Sequence, residues 1–312
     1  MMKRIRFFVL FFALVFTPLA SASFAVYYGQ MNSSVYSKLN SFDVIILSPT
    51  VDETYVSKLS RNHTVVGYVS LATIGGWEPW AKDVSENLII GKDSNWDERV
   101  VDFSSPEWRR VILDRAVPYI LSRGFNGVFL DNLDYVDQYP DKKEGMVDLV
   151  RAIRERYPNI TIIANRGFSI ASGIAPYVDH VLFEDFVTYY DFSSGRYAVF
   201  DGSDLQWEFD QVKRLRSLNV SILALSYANL ADESQVEEFS KLICGYAKEY
   251  NVSEVYLADL SLQRMGFDPC EPHATGTVNR TPQESPKGKN GKAVCGPAFF
   301  LPLILLGRFI LR

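Results

Sequence analysis

Eight short runs of apolar, β-branched and aromatic residues recur along the chain with helical segments between them, and this alternation constrains the fold more than any other feature. The runs are Phe24 to Tyr28, Asp43 to Leu47, Val65 to Leu71, Gly127 to Asp131, Thr161 to Asn165, Val181 to Glu184, Ile222 to Tyr227 and Val255 to Asp259. Between them Leu, Ile, Val and Phe recur at three- and four-residue steps, as from Glu107 to Ser122, Lys143 to Tyr157, Asp204 to Ser217 and Glu233 to Tyr250. That step is the signature of an amphipathic helix. Ser104 or Ser105 ahead of Pro106 offers a helix start, and Gly124 a stop. Repeated strand and helix units build a parallel sheet. Eight of them close as a single α/β domain, a (β/α)8 or TIM barrel, whose active site lies at the C-terminal ends of the strands. Two connections, Thr73 to Val100 and Phe186 to Ser203, are long and rich in Trp, Tyr, Gly and Asp, which suits the walls of a cleft.

The ends of the 312-residue chain differ from its middle. Lys3, Arg4 and Arg6 precede an apolar run from Phe7 to Phe16, and Ala20-Ser21-Ala22 follows with small residues at the cleavage spacing. Residues 1–22 therefore read as a secretion signal, with an uncleaved membrane anchor as the alternative. Residues 23–268 form the barrel domain. Residues 269–294 read as a polar stalk, and residues 295–312 hold Cys295-Gly296-Pro297, a short apolar run and basic Arg308 and Arg312. That ending resembles a Cys-Gly-Pro C-terminal sorting signal of archaeal surface proteins, which implies cleavage near Cys295 and a lipid upon it. A membrane-inserted tail is the other reading. Either leaves the protein at the cell surface, touching the membrane only through its C-terminus. With Cys295 set aside, Cys244 and Cys270 can pair or remain free thiols. Six Asn-x-Ser/Thr sequons begin at Asn32, Asn62, Asn159, Asn219, Asn251 and Asn279, as expected of a glycoprotein. The net charge is −5 overall but −12 over residues 23–262. An acidic barrel argues against nucleic acid and is compatible with a cationic or neutral polymer.

Polar side chains gather where the strands finish: Tyr28, Ser70, Asp131, Asp134, Asn165, Arg166, Glu184, Asp185, Ser226, Tyr227 and Asp259. Alternation along a strand places Asp131 inward with Phe129, and Glu184 inward with Leu182. Each carboxylate then crowns an apolar layer, where desolvation shifts its acidity. Two carboxyl groups across a cleft are what glycosidic cleavage needs. Asp134 reads as a helix cap or a supporting group, and Asn165-Arg166-Gly167 as sugar-binding groups or a turn. Tyr28, Tyr68 and Tyr227, with Trp77 and Trp80, offer rings to stack on sugars. His63 and His180 precede their strands, at the opposite mouth, and His273 lies beyond the last strand. No Ser-His-Asp set, His-rich metal site, phosphate loop or dinucleotide fingerprint is present, so neither metal nor cofactor is expected.

The segments Phe24-Ala-Val-Tyr-Tyr28-Gly29, Gly67-Tyr68-Val-Ser70, Gly124-Phe-Asn-Gly127-Val-Phe-Leu-Asp131-Asn-Leu-Asp134, Ala164-Asn165-Arg166-Gly167, Phe183-Glu184 and Tyr256-Leu-Ala-Asp259 resemble glycoside hydrolase family 114, the endo-α-1,4-polygalactosaminidases. The resemblance implies that Asp131 and Glu184 are the catalytic pair, with Asp131 as nucleophile and Glu184 as acid/base in a retaining reaction. Tyr28, Tyr68, Ser70, Asp134, Asn165, Arg166, Tyr227 and Asp259 are the expected substrate-binding residues. Relatives often carry Ser-x-Gly-Glu after the third strand, whereas this chain reads Ser70-Leu71-Ala72-Thr73. The expected protein is thus an exported, monomeric glycosidase of an α-linked, galactosamine-containing polysaccharide, or else a surface barrel that binds glycans without cleaving them.

Overall fold

A computed structural model describes residues 23–271. The proposed signal, the sequon at Asn279, His273, Cys295 and nearly all of the stalk lie outside the described residues. Eight parallel strands form one sheet: β1 (Phe24–Tyr27), β2 (Val44–Leu47), β3 (Thr64–Ser70), β4 (Gly127–Asp131), β5 (Thr161–Asn165), β6 (His180–Glu184), β7 (Ser221–Tyr227) and β8 (Glu254–Ala258). They pair in sequence order, as right-handed βα crossovers require, and the sheet curls into a nearly closed (β/α)8 barrel.

Because both faces of each strand are covered, the strands are almost wholly buried, which explains their unbroken apolar runs. Parity along β6 follows the expected alternation: Leu182 joins the same apolar cluster as Phe129, while Val181 and Phe183 pack outward with Phe168, Phe209 and Val212. The segment from Pro106 to Ser122 is one helical stretch with a wide turn at Ile112–Ala116. Ser105 caps it, its hydroxyl accepting from the Glu107 amide at 3.1 Å. Gly124, at φ 91°, ends it in a conformation that a side chain would disfavour.

β1 and β8 end the series, and the chain returning after β8 fills the seam between them. Leu262 accepts from the Tyr28 amide at 2.7 Å, and Phe267 exchanges both backbone hydrogen bonds with Leu257. The Phe24 and Tyr256 rings meet with centroids 5.6 Å apart. Cys270, just past this return, is joined by a disulfide to Cys244 on the helix Glu233–Tyr250. The pairing that the sequence left open thus ties down the segment that closes the barrel.

The two long connections are not irregular loops. The first carries a three-stranded antiparallel sheet of Thr73–Ile74, Glu98–Val101 and Ile89–Asp93, and the second a hairpin of Thr188–Asp191 with Arg196–Val199. The two touch at Trp96 and Phe192, whose centroids lie 6.0 Å apart. Trp80 is buried and packs edge-on to Tyr119, so it belongs to the core rather than to a sugar-stacking wall. The five described sequon asparagines are all exposed. Four of them (Asn62, Asn159, Asn219 and Asn251) sit in turns that lead from a helix into a strand, at the mouth opposite the carboxylates.

Candidate active site

Asp131 ends β4, Asn165 ends β5 and Glu184 ends β6, so three adjacent strands deliver three polar side chains to one place. Nδ2 of Asn165 donates to Asp131 Oδ1 at 2.7 Å and to Glu184 Oε2 at 2.6 Å. The two N–H bonds of a planar amide diverge by roughly 120°, which sets those oxygens about 4.6 Å apart. Tyr227, from the end of β7, donates its hydroxyl to Glu184 Oε1 at 2.5 Å. Asp131 and Glu184 are 2% and 4% exposed.

Each of these three strand ends is followed by a left-handed residue: Asn132 (φ 64°), Arg166 (φ 52°) and Asp185 (φ 63°). Asn and Asp visit that region readily, but for Arg it costs on the order of 1–2 kcal/mol. The contacts of Arg166 hold it there. Its Nε donates to Asp134 Oδ2 at 2.8 Å, and its terminal nitrogen donates to the Glu184 carbonyl at 2.9 Å. Asp134 also accepts from the Gly167 amide at 2.9 Å. Asp134 and Arg166 therefore clamp the ends of β4, β5 and β6 together rather than lining the cleft floor.

Burial dominates the electrostatics. It raises Asp131 to about 6, against the Asn165 donor that favours the charged form. Glu184 rises well above the usual range, through burial first and then the charges of Asp185 and Asp131. Burial also keeps the hydroxyls of Tyr28, Tyr68 and Tyr227 protonated, helped by the carboxylates beside them. The Tyr28 hydroxyl is buried without a hydrogen-bond partner among the described residues, while the Tyr68 hydroxyl favours the charged form of Asp131 as a hydrogen-bond donor. Tyr28 lies in the field of both carboxylates and Tyr68 in that of Asp131, and the two rings meet edge to face at 5.9 Å.

The remaining expected residues make no hydrogen bond to either carboxylate among the described contacts. Ser70, in register with Asp131, turns its hydroxyl to Thr73 and Asn132 at 2.8 and 2.9 Å. Asp259 accepts from the Ser261 hydroxyl at 2.7 Å, within the turn after β8. His63 bonds Asn40 and His180 bonds Ser221, both at the far mouth.

Further buried acids lie outside the expected catalytic and binding set. Asp185 sits 3.7 Å from the Arg166 guanidinium, and burial raises it to about 7. Glu208, 1% exposed on the helix Gly202–Ser217, has both carboxyl oxygens without a hydrogen-bond partner among the described residues, and burial pushes its pKa well above the usual range. The signal for it was present: Leu205, Glu208, Val212 and Leu215 share the helix's inward face, so an acid at that spacing is bound for the interior. Glu98 carried no such mark, since only the fold brings it near.

Comparison with known proteins agrees with this architecture. The model of glycoside-hydrolase family GH114 matches residues 13–279. The glycoside hydrolase domain of PelA from Pseudomonas aeruginosa is similar in structure, with a TM-score of 0.67 and 19% identity over 79% of this chain and 98% of that one. Aspergillus fumigatus Ega3, solved in complex with galactosamine, is similar with a TM-score of 0.61 and 15% identity over 79% of this chain and 94% of that one. No curated protein matches by sequence. The chain belongs to glycoside-hydrolase family GH114 and is a glycoside hydrolase.

Proposed function

We propose that this enzyme cleaves an α-linked, amine-bearing polysaccharide outside the cell with retention of configuration, using Asp131 as nucleophile and Glu184 as acid and base. The observation that carries the reading is the single Asn165 amide shared by both carboxylates. It fits the separation of about 5–5.5 Å between carboxyl groups in retaining enzymes, and is too short for the 6.5–9.5 Å of inverting ones. The order of acidities supports the division of labour, since the group held further above its usual range suits the proton donor.

In the first step the Asp131 carboxylate attacks C1 of the sugar while Glu184 gives its proton to the departing glycosidic oxygen. This leaves a glycosyl ester on Asp131. Glu184, now ionised, takes a proton from water, whose oxygen attacks C1 and restores the Asp131 carboxylate. An amino sugar is supported by the acidic barrel and by the galactosamine bound to the structurally similar Ega3. The leader at residues 1–22 and the tail at residues 295–312 support export and tethering, where a polymer too large to enter the cell is met. Glycans on Asn62, Asn159, Asn219 and Asn251 would stand clear of the cleft.

Hydrolysis of α-1,4-linked galactosamine oligosaccharides by the mature chain, followed by proton NMR of the first product, tests this. The α anomer is expected first, with activity lost in Asp131→Asn and Glu184→Gln. Initial release of the β anomer, or wild-type rates in Asp131→Asn, would refute it.

A further inference from the structure

Thr73 lies just past β3, and the structure brings a carboxylate to it from another part of the chain. Strand Glu98–Val101 pairs antiparallel with Thr73–Ile74, with Thr73 opposite Val100. The Thr73 hydroxyl donates to Glu98 Oε2 at 2.6 Å. The same hydroxyl oxygen accepts from Nδ2 of Asn132, the residue after Asp131, at 3.0 Å. Glu98 is therefore tied to the rim beside Asp131, and at 2% exposed it is as enclosed as Asp131 itself.

A second acid in this corner is used differently. Both oxygens of Glu78 accept from backbone amides, those of Gly75 and Gly76 at 3.0 and 2.9 Å. Glu78 thus shapes the turn that presents Trp77, whose ring stacks on Tyr68 with centroids 6.1 Å apart. Glu98 instead meets side chains, the Thr73 hydroxyl and the Trp77 indole. The Tyr68 hydroxyl is buried in the field of Asp131, Glu98 and Glu78, and as a hydrogen-bond donor it favours the charged form of Asp131. Such a corner is suited to a small cationic donor.

The chemistry of the substrate indicates which group that is. When C1 of a sugar faces Asp131, the glycosidic oxygen faces Glu184, toward β5 and β6. The substituent on C2, the carbon next to C1, flanks the attacked carbon, as the β3 side of the rim flanks Asp131. Resting on the function proposed above, we propose that Glu98 is a specificity-determining residue whose carboxylate receives the 2-ammonium group of the sugar attacked by Asp131. Burial, with the charges of Glu78 and Asp131, raises Glu98 to about 7 against the hydrogen bonds from Thr73 and Trp77, and an arriving cation offsets that repulsion.

Glu98→Gln separates this role from a structural one, because the amide oxygen still accepts from Thr73. Initial rates of the wild-type and variant chains are compared on α-1,4-linked galactosamine oligosaccharides and on their N-acetylated counterparts. The expected result is a rise of about tenfold or more in KM on the free-amine substrate, kcat retained, and no change on the acetylated one. Equal losses on both substrates, or no loss on either, would overturn the proposal. If the wild-type chain cleaves neither, the functional reading fails, and calorimetric titration with the galactosamine oligosaccharide still decides the role of Glu98. Binding weakened about tenfold in the variant supports it; equal binding, or none to the wild-type chain, overturns it.

Discussion

Replacing Tyr227 with Phe removes one hydroxyl and leaves the ring in place. Tyr227 is fully enclosed, so Tyr227→Phe keeps the packing of the β7 end. What disappears is the 2.5 Å hydrogen bond to Glu184 Oε1, which favours the charged form of that carboxyl group. A hydrogen bond to a charged group contributes about 1.5–3 kcal/mol. Its loss therefore raises the Glu184 pKa further above the usual range. The form required for the first step is protonated, so activity falls as pH rises through that pKa. The alkaline limb of kcat/KM against pH is therefore expected to move upward in the variant. This ratio is the right observable because it extends only through the first irreversible step, where Glu184 is the acid. An alkaline limb that stays in place or moves down would refute both the hydrogen bond's effect and the assignment of Glu184 as the acid.

Stability should fall between about pH 4 and pH 7, because burial raises Asp131 to about 6 and Glu98 and Asp185 to about 7. In that window the unfolded chain has lost protons that the folded chain retains, a cost of about 1.4 kcal/mol per pH unit for each titrating group. A Tm that rises from pH 5 to pH 8 in thermal unfolding would contradict this. Cys270→Ser releases a cross-link spanning 26 residues, worth about 3.5 kcal/mol by loop-closure entropy, and should lower the denaturant midpoint without changing the aromatic near-UV spectrum of the barrel. An unchanged midpoint would show that the seam holds without it. Gly127→Ala puts a Cβ 1.9 Å from the Thr161 carbonyl oxygen, a backbone atom of the neighbouring strand. Overpacking there should cost about 3 kcal/mol or more, and a variant as stable as the parent in equilibrium unfolding would refute that reading of the contact.

Much of this architecture was legible along the chain because a barrel strand is buried on both faces. Gly127–Asp131 and Thr161–Asn165 have the predicted boundaries, and the other six strands differ only by a residue at one or both ends. Asp131 and Glu184 were visible as polar residues closing apolar runs, and the parity that turns them inward follows from a two-residue period. The sheet inside the first long connection was not visible. Thr73–Ile74 is too short to show any period, and Ile89–Asp93 is half exposed. Trp80 gave no sign of its buried place against Tyr119, since an aromatic residue in a loop reads the same whether it faces solvent or core.

Local order of residue types therefore determined the eight strands, the helices between them and the mouth at which the acids collect, because each depends on periodicity within a few neighbours. The tertiary structure alone decided that Asn165 joins the two carboxylates, that Arg166 clamps three strand ends, and that Glu98 reaches Thr73. Those contacts bring together side chains 19 to 34 residues apart, through the curvature of a sheet and the folding back of a connection. Distances between side chains so far apart in sequence are set by how the barrel closes, which no short stretch of sequence records.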